Sequence, residues 1–428
     1  MSNVPKLRFK EFSGEWEEKK LGDIFDFYST NSYSRSCLNN DKGRVRNIHY
    51  GDIHMRFPTM LDVKNIDIPY INDEIDLNTI SKDCYCKEGD IVIADASEDY
   101  EDIGKTVELK NVGSEKIVAG LHTLLGRDNK GITKNGYRGY MFLSNRVRKQ
   151  IKVLAVGAKV LGISKTNINK VLLNVPVDKE QQKIGQFFYT IDKKIERQQE
   201  KVALLEQYKK CMMQKIFSQE IRFKDENGEE YPEWEEKRLG EIVILMQSGI
   251  SRRLSEKDIG VPVIRSNNLI DEKIDKTDIK YWYEIDNKGA NLENYFLKKG
   301  DLLINFINSL AQIGKSAVYN DELKRKCIFT TNIMRLNFND NIDTKYIFRY
   351  FQLNKYKNYI KSIAKPAVNQ ASFTTVDFKK FKIDIPVLKE QKKIANFFYL
   401  IDEKLNKEKE KLDLLKECKK GLLQQMFV

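Results

Sequence analysis

The chain has 428 residues, 41% of them hydrophobic, enough for two or three domains that each bury a core. Its 74 Lys and Arg exceed its 62 Asp and Glu to give a net charge of +12, which points toward a polyanionic partner. No apolar run reaches the roughly 20 residues of a bilayer span, and the start MSNVPKLRFK has no apolar signal region. The cysteines Cys37, Cys84, Cys86, Cys211, Cys327 and Cys418 offer one isolated Cys-x-Cys and no partner pair for a zinc site. No membrane and no metal are expected, and the setting is expected to be reducing and cytoplasmic.

In chain order, Arg8-Phe9-Lys10 and Trp16-Glu17-Glu18-Lys19-Lys20-Leu21-Gly22 come first. A polar loop from Ser29 to Gly43 leads to a short predicted strand and turn at Asn47 to Ile53. Glu88-Gly89-Asp90-Ile91-Val92-Ile93 reads as a turn entering a buried strand, and Ile103-Gly104-Lys105-Thr106 follows it. At Pro176 the pattern becomes helical. A seam of period 3.5 runs through Ile184, Phe188, Ile191, Ile195, Val202, Leu205, Met212 and Ile216, broken by Gln198 and Lys209. Asp178, with Gln181 three positions on, is expected to cap this helix.

From Arg222 the chain repeats itself. Arg222-Phe223-Lys224 and Trp234-Glu235-Glu236-Lys237-Arg238-Leu239-Gly240 echo the opening. The loop Gln247 to Gly260, the strand and turn Val263 to Leu269, then Lys299-Gly300-Asp301-Leu302-Leu303-Ile304 and Ile313-Gly314-Lys315-Ser316 keep the same order. The second helix repeats the first at an offset of 210, with 13 of 20 residues identical between Pro176–Ile195 and Pro386–Leu405. Its seam is Ile394, Phe398, Ile401, Leu405, Leu412, Leu415, Leu422 and Met426, and its breaks, Glu408 and Lys419, match the first pair.

The predicted fold is α+β: two domains of mixed short strands and helices, at 1–177 and 221–387. Two long helical segments, 178–220 and 388–428, are expected to form an antiparallel coiled coil. The repeat is circular, because the N-terminal Arg-Phe-Lys stands where the chain would continue after the second helix. Pseudo-two-fold symmetry and neighbouring termini follow. A second apolar stripe, Phe187, Leu204, Met213 and Phe217 with Phe397, Leu414, Leu423 and Phe427, either packs on the adjoining domains or docks partner subunits.

Catalytic signatures are missing. The Gly-Lys-Thr and Gly-Lys-Ser tripeptides lack the first glycine of a phosphate loop, which would fall at Asp99 and Ser309. The only histidines, His49, His54 and His122, all lie in the first copy, so a symmetric histidine base is excluded. The loops instead carry chemistry suited to DNA: Arg bridges guanine, Asn and Gln bridge adenine, and Lys holds phosphate. The candidates are Arg35, Arg44, Arg46, His49 and Lys105 in the first copy. In the second they are Arg252, Arg253, Arg265, Asn267, Asn305, Gln312, Lys315, Asn369 and Gln370.

The duplicated Lys-Glu-Gln-x-Lys-Ile at Lys179–Ile184 and Lys389–Ile394, with the Gly-Asp and Gly-Lys landmarks, resembles the specificity subunit of type I restriction-modification systems. The resemblance spans essentially the whole chain. It implies a non-catalytic DNA reader with two target-recognition domains, each reading half of a bipartite double-stranded target, and helices that set the spacing. It further implies two methyltransferase subunits, which bring S-adenosylmethionine, and two restriction subunits; no cofactor is expected in this chain. Two alternatives are an orphan or decoy scaffold that binds the partners without reading DNA, and an enzyme acting alone, for which no motif is present.

Overall fold

A computed structural model describes residues 3–270, 272–366 and 370–428. It falls into two compact units, Met1–Lys201 with Glu408–Val428, and Val202–Lys407. This differs from the four-part division expected from sequence. The long helices Asp178–Phe217 and Leu388–Met426 are each continuous, yet the two halves of each belong to different units. Each unit therefore holds one globular segment and a pair of half-helices, because a seam one stripe wide is buried only against a partner.

In the first unit a five-stranded sheet runs in the order Asp26–Tyr28, Thr123–Arg127, Ile91–Ala94, Thr106–Lys110, Met60–Asp62. A four-stranded sheet, Ile117–Ala119, Arg46–Ile48, Tyr70–Ile71 and Leu38–Asn39, stands beside it. In the second unit the corresponding sheet is Val243–Ser248, Ile333–Phe338, Leu302–Asn305, Ser316–Val318, with a three-stranded sheet of Lys280–Trp282, Val261–Ile264 and Ile328–Phe329. The runs Ile91-Val92-Ile93 and Leu302-Leu303-Ile304 are wholly buried central strands, as unbroken apolar stretches between turn residues require.

Within each unit the half-helices are antiparallel. In the first, Phe188 lies 5.9 Å from Phe427, Asp192 Oδ1 2.5 Å from Lys419 Nζ, and Gln198 Nε2 2.7 Å from Glu408 Oε2, so numbers rise along one helix as they fall along the other. In the second, Phe217 stacks on Phe398 at 6.2 Å and Lys209 Nζ is 2.9 Å from Asp402 Oδ1. Of the polar breaks in the seam, Gln198 and Glu408 thus meet each other, while Lys209 and Lys419 each find an aspartate of the facing helix. Partly buried polar pairs of this kind favour one register, since a slip would leave them unsatisfied.

The duplicated helix-start motif is a clasp. Glu180 is fully buried and takes Arg8 Nε and Nη2, each at 2.8 Å. Glu390 is equally buried and takes Arg222 at 3.3 and 3.0 Å, with Trp234 Nε1 as a further donor at 3.1 Å. These carboxylates raise the pKa of both arginines, the side-chain hydrogen bond being the main cause. The neighbouring glutamines are buried too: Gln181 bonds Pro176 O, Ile132 O and Lys134 N, and Gln391 bonds Pro386 O, Asn341 O and Asp343 N. The capping expectation is corrected here. Val177 and Val387 carbonyls accept the first helical N–H bonds, Asp178 pairs instead with Lys134, and Gln181 ties the helix to the domain.

The ends of the two long helices make equivalent backbone bonds. Ile221 N–H donates to Lys215 O at 3.1 Å, where the first helix ends through Gln219 in a left-handed conformation (φ 62°). At the end of the second helix Leu7 N–H donates to Gln425 O at 2.9 Å. The N-terminal segment thus occupies the place that chain continuation takes in the other copy.

Candidate nucleic-acid interface

The Ile-Gly-Lys turns are hairpin connections. Gly104 (φ +70°) and Gly314 (φ +80°) join the central strand to its neighbour, and a Cβ there would come within 2.5 Å of Ile151 and 2.8 Å of Ile360, so only glycine fits. Gly104 N–H donates to Ala94 O and Gly314 N–H to Asn305 O, which rules out a phosphate cradle at these amides. Beside each turn a small strand is added: Ala96–Ser97 pairs with Leu161–Gly162, and Ile307–Asn308 with Ala371–Ser372.

Most first-copy candidates are engaged within their own domain. Arg35 Nη1 bonds Asp52 at 2.9 Å, and Arg46 lies over the Tyr70 ring at 5.0 Å while donating to its hydroxyl. Lys105 Nζ donates to His54 O at 2.6 Å. His49 is buried and caps the helix Tyr50–Met55 by accepting from Gly51 N, and burial followed by the Arg35 charge lowers its pKa. As a base-reading residue His49 is therefore corrected to a cap. Arg44 is exposed and makes no ion pair or hydrogen bond among the described residues.

In the second copy Arg252 forms a two-pronged pair with Asp286 at 2.8 and 2.6 Å. That carboxylate also accepts from Trp282 Nε1 and Ala290 N, and the arginine bond holds it far below the usual carboxylate range. Arg265 Nη2 bonds Asp278. Asn305 is fully buried at the end of its strand with Nδ2 on Ser266 O, so the expectation of an exposed loop side chain is corrected there. Arg253, Asn267, Lys315 and Gln370 are exposed, Gln312 is partly so, and Asn369 lies outside the described residues.

Arg44→Ala and Arg253→Ala should each weaken DNA binding about equally on all sequences and lower the salt slope by about 1. Arg252→Ala should instead lower the melting temperature, because it strands Asp286. Salt titrations and thermal melts separate the two outcomes.

The apolar stripe divides. Phe427 is buried against Trp16, Tyr137 and Phe188; Met213 is buried, and Phe217 packs on Trp234, Tyr346 and Tyr350. Phe187 meets Phe9, Phe397 meets Phe223, and Leu423 packs on the first core. Met213 and Phe427 are thus core residues, and Phe187, Phe217, Phe397 and Leu423 are half-buried against the cores, which favours packing on the adjoining domains for these six. Leu204 and Leu414, equivalent at the offset of 210, stay about two-thirds exposed (65% and 66%).

Sequence reasoning missed a cluster in the first unit, where Tyr50, His54, His122 and Asp95 stand together with His49. The confinement of all three histidines to one copy was its only trace. Among the described residues no group of three or more His, Cys, Asp and Glu is placed to hold a metal ion, and no helix is long and apolar enough to cross a membrane.

A family model described as the type I restriction modification DNA specificity domain matches residues 13–207 and 231–417. The chain is 33% identical over 213 residues to the putative type I restriction enzyme MjaX specificity subunit of Methanocaldococcus jannaschii. It is 21% identical over 267 residues to the type I restriction enzyme EcoKI specificity subunit of Escherichia coli. These matches take in 49% and 61% of this chain, and 49% and 57% of the relatives, so the chain spans about half the length of the curated relatives it matches. Among solved structures, the S subunit of a type I restriction-modification system from M. genitalium shares the fold with a TM-score of 0.59 at 15% identity, over 99% of both chains. A chain from a study of complex assembly and conformational transition of the type I R-M system gives 0.53 at 15% identity, over 95% of this chain and 96% of that one.

Proposed function

The chain belongs to the type I restriction-modification DNA specificity family, and on that premise we propose that it selects the DNA target for a methyltransferase and restriction assembly without catalysing a reaction itself. Each of its two domains reads one half of a bipartite duplex target, and the paired helices fix the spacing between the halves. Two methyltransferase subunits dock on it and supply S-adenosylmethionine, and two restriction subunits complete the complex. The exposed Leu204 and Leu414, one in each repeat, support two equivalent docking positions.

The observation that carries this reading is a contrast. The clasp Arg8–Glu180 is repeated as Arg222–Glu390, while the polar loops Ser29–Gly43 and Gln247–Gly260 differ in length and sequence and Tyr50 stands against Ser266. A common frame with unlike loops is what two different half-targets demand, because direct readout depends on side-chain identity at the groove.

The test is single-molecule sequencing of methylated adenines in a host expressing the chain with its methyltransferase subunit, beside a host lacking the chain. A new bipartite motif with one modified adenine on each strand supports the proposal. A complex that co-purifies yet yields no motif would replace it with the scaffold or decoy reading.

A further inference from the structure

All three histidines of the chain gather on one tyrosine. The Tyr50 ring lies 4.7 Å from His49, 5.9 Å from His54 and 5.3 Å from His122, centroid to centroid. Two of these imidazoles are committed: His49 Nδ1 accepts from Gly51 N, and His54 Nε2 lies 2.9 Å from Ala96 O. His122 differs. Its side chain is 52% exposed, and Nδ1 lies 3.6 Å from Asp95 Oδ1. Its backbone has φ 53°, a left-handed conformation that Asn and Gly adopt more readily than His.

The surrounding charges isolate this pair. On the helix Tyr50–Met55, Asp52 is held by Arg35 at 2.9 Å and by Arg56 at 2.8 Å. At the neighbouring hairpin, Lys105 donates to His54 O and stands 3.9 Å from Asp102. Asp95 has no lysine or arginine in an ion pair among the described residues, only His122. Burial raises the pKa of Asp95, and the His122 interaction opposes that. With the imidazole charged the pair is neutral; with the imidazole neutral, a half-buried carboxylate is left without a counter-charge, which disfavours a nearby phosphate.

The second unit has the same backbone and none of this chemistry. Asp95 N–H donates to His122 O at 3.0 Å, and its counterpart Phe306 N–H donates to Asn332 O at 3.1 Å. An uncharged phenyl and an amide replace the carboxylate and the imidazole.

We propose that His122 and Asp95 form a proton-linked DNA contact, so that the first unit reads its half-target with uptake of a proton while the second unit does not. The inference rests on the specificity reading above. Imidazole is the side chain that changes charge between pH 5 and 8, and a nearby phosphate favours its charged form. Binding strength is then fully present at low pH and lost as pH rises through the bound-state titration.

The experiment uses the full chain with its methyltransferase subunits and labelled duplexes carrying the target found by sequencing, at fixed ionic strength from pH 6 to 8. The dissociation constant should rise by about 3- to 10-fold across that window. Scrambling one half-site should abolish the slope, and scrambling the other should leave it. His122→Asn, which suits the left-handed turn and copies Asn332, should bind with the pH 8 strength throughout, and Asp95→Asn should tighten binding at pH 8. A His122→Asn variant that keeps the wild-type slope, or that loses affinity equally at every pH as a structural role would give, overturns the proposal. Absence of any methylated target counts against the specificity reading; a clear target bound with a flat profile counts against the proton link alone.

Discussion

Replacing Arg8 with Met should destabilise the first unit by about 3–5 kcal/mol, the usual cost of leaving one member of a buried ion pair without its partner. Glu180 is fully buried and takes both of its ion-pair bonds from Arg8. Trp16 Nε1, also buried, is not bonded to it and has no acceptor among the described residues. In the second unit Trp234 Nε1 does reach Glu390, so Arg222→Met should cost about 1 kcal/mol less. Denaturant unfolding followed by tryptophan emission reads the units separately in single-tryptophan backgrounds, since Trp16 lies in the first and Trp234 and Trp282 in the second. The double variant Arg8→Met with Glu180→Leu should recover most of the loss, because no charge is then stranded. An unchanged midpoint for Arg8→Met alone would remove the clasp from the account of stability.

Phe427→Ala should cost a similar amount, about 3–5 kcal/mol, through the cavity it leaves among Trp16, Tyr137 and Phe188. A docking role for the same residue makes a different prediction: an unchanged melting temperature with weakened assembly. Thermal melts and co-purification with the methyltransferase subunit distinguish them. Leu414→Asp, at an exposed position, should show the reverse pattern, with normal melting and impaired assembly. Loss of assembly by Phe427→Ala at full thermal stability would restore the docking reading of the buried stripe.

Features encoded by local spacing were legible. The two long helices, their seam, the polar breaks and the glycine turns each depend on residues within a few positions of one another, where 3.6-residue periodicity and backbone sterics act directly. Three matters were not. The Lys-Glu-Gln motif marked a helix start, yet its purpose is a clasp to Arg8, 172 residues from Glu180. The second stripe had core and surface readings that periodicity could not separate, since both place apolar residues on one face. The loop arginines looked equally free, but Arg35, Arg252 and Arg265 are claimed by Asp52, Asp286 and Asp278, brought to them by strand pairing.

The sequence by itself determined the duplicated α+β plan and the family, because repetition and short-range periodicity are written along the chain. Only the tertiary structure decided which charges are spent internally and which remain exposed, and it alone assembled His122, Asp95 and Tyr50. Ion pairing and burial depend on distances across the fold, and those are set by the packing of segments far apart in sequence.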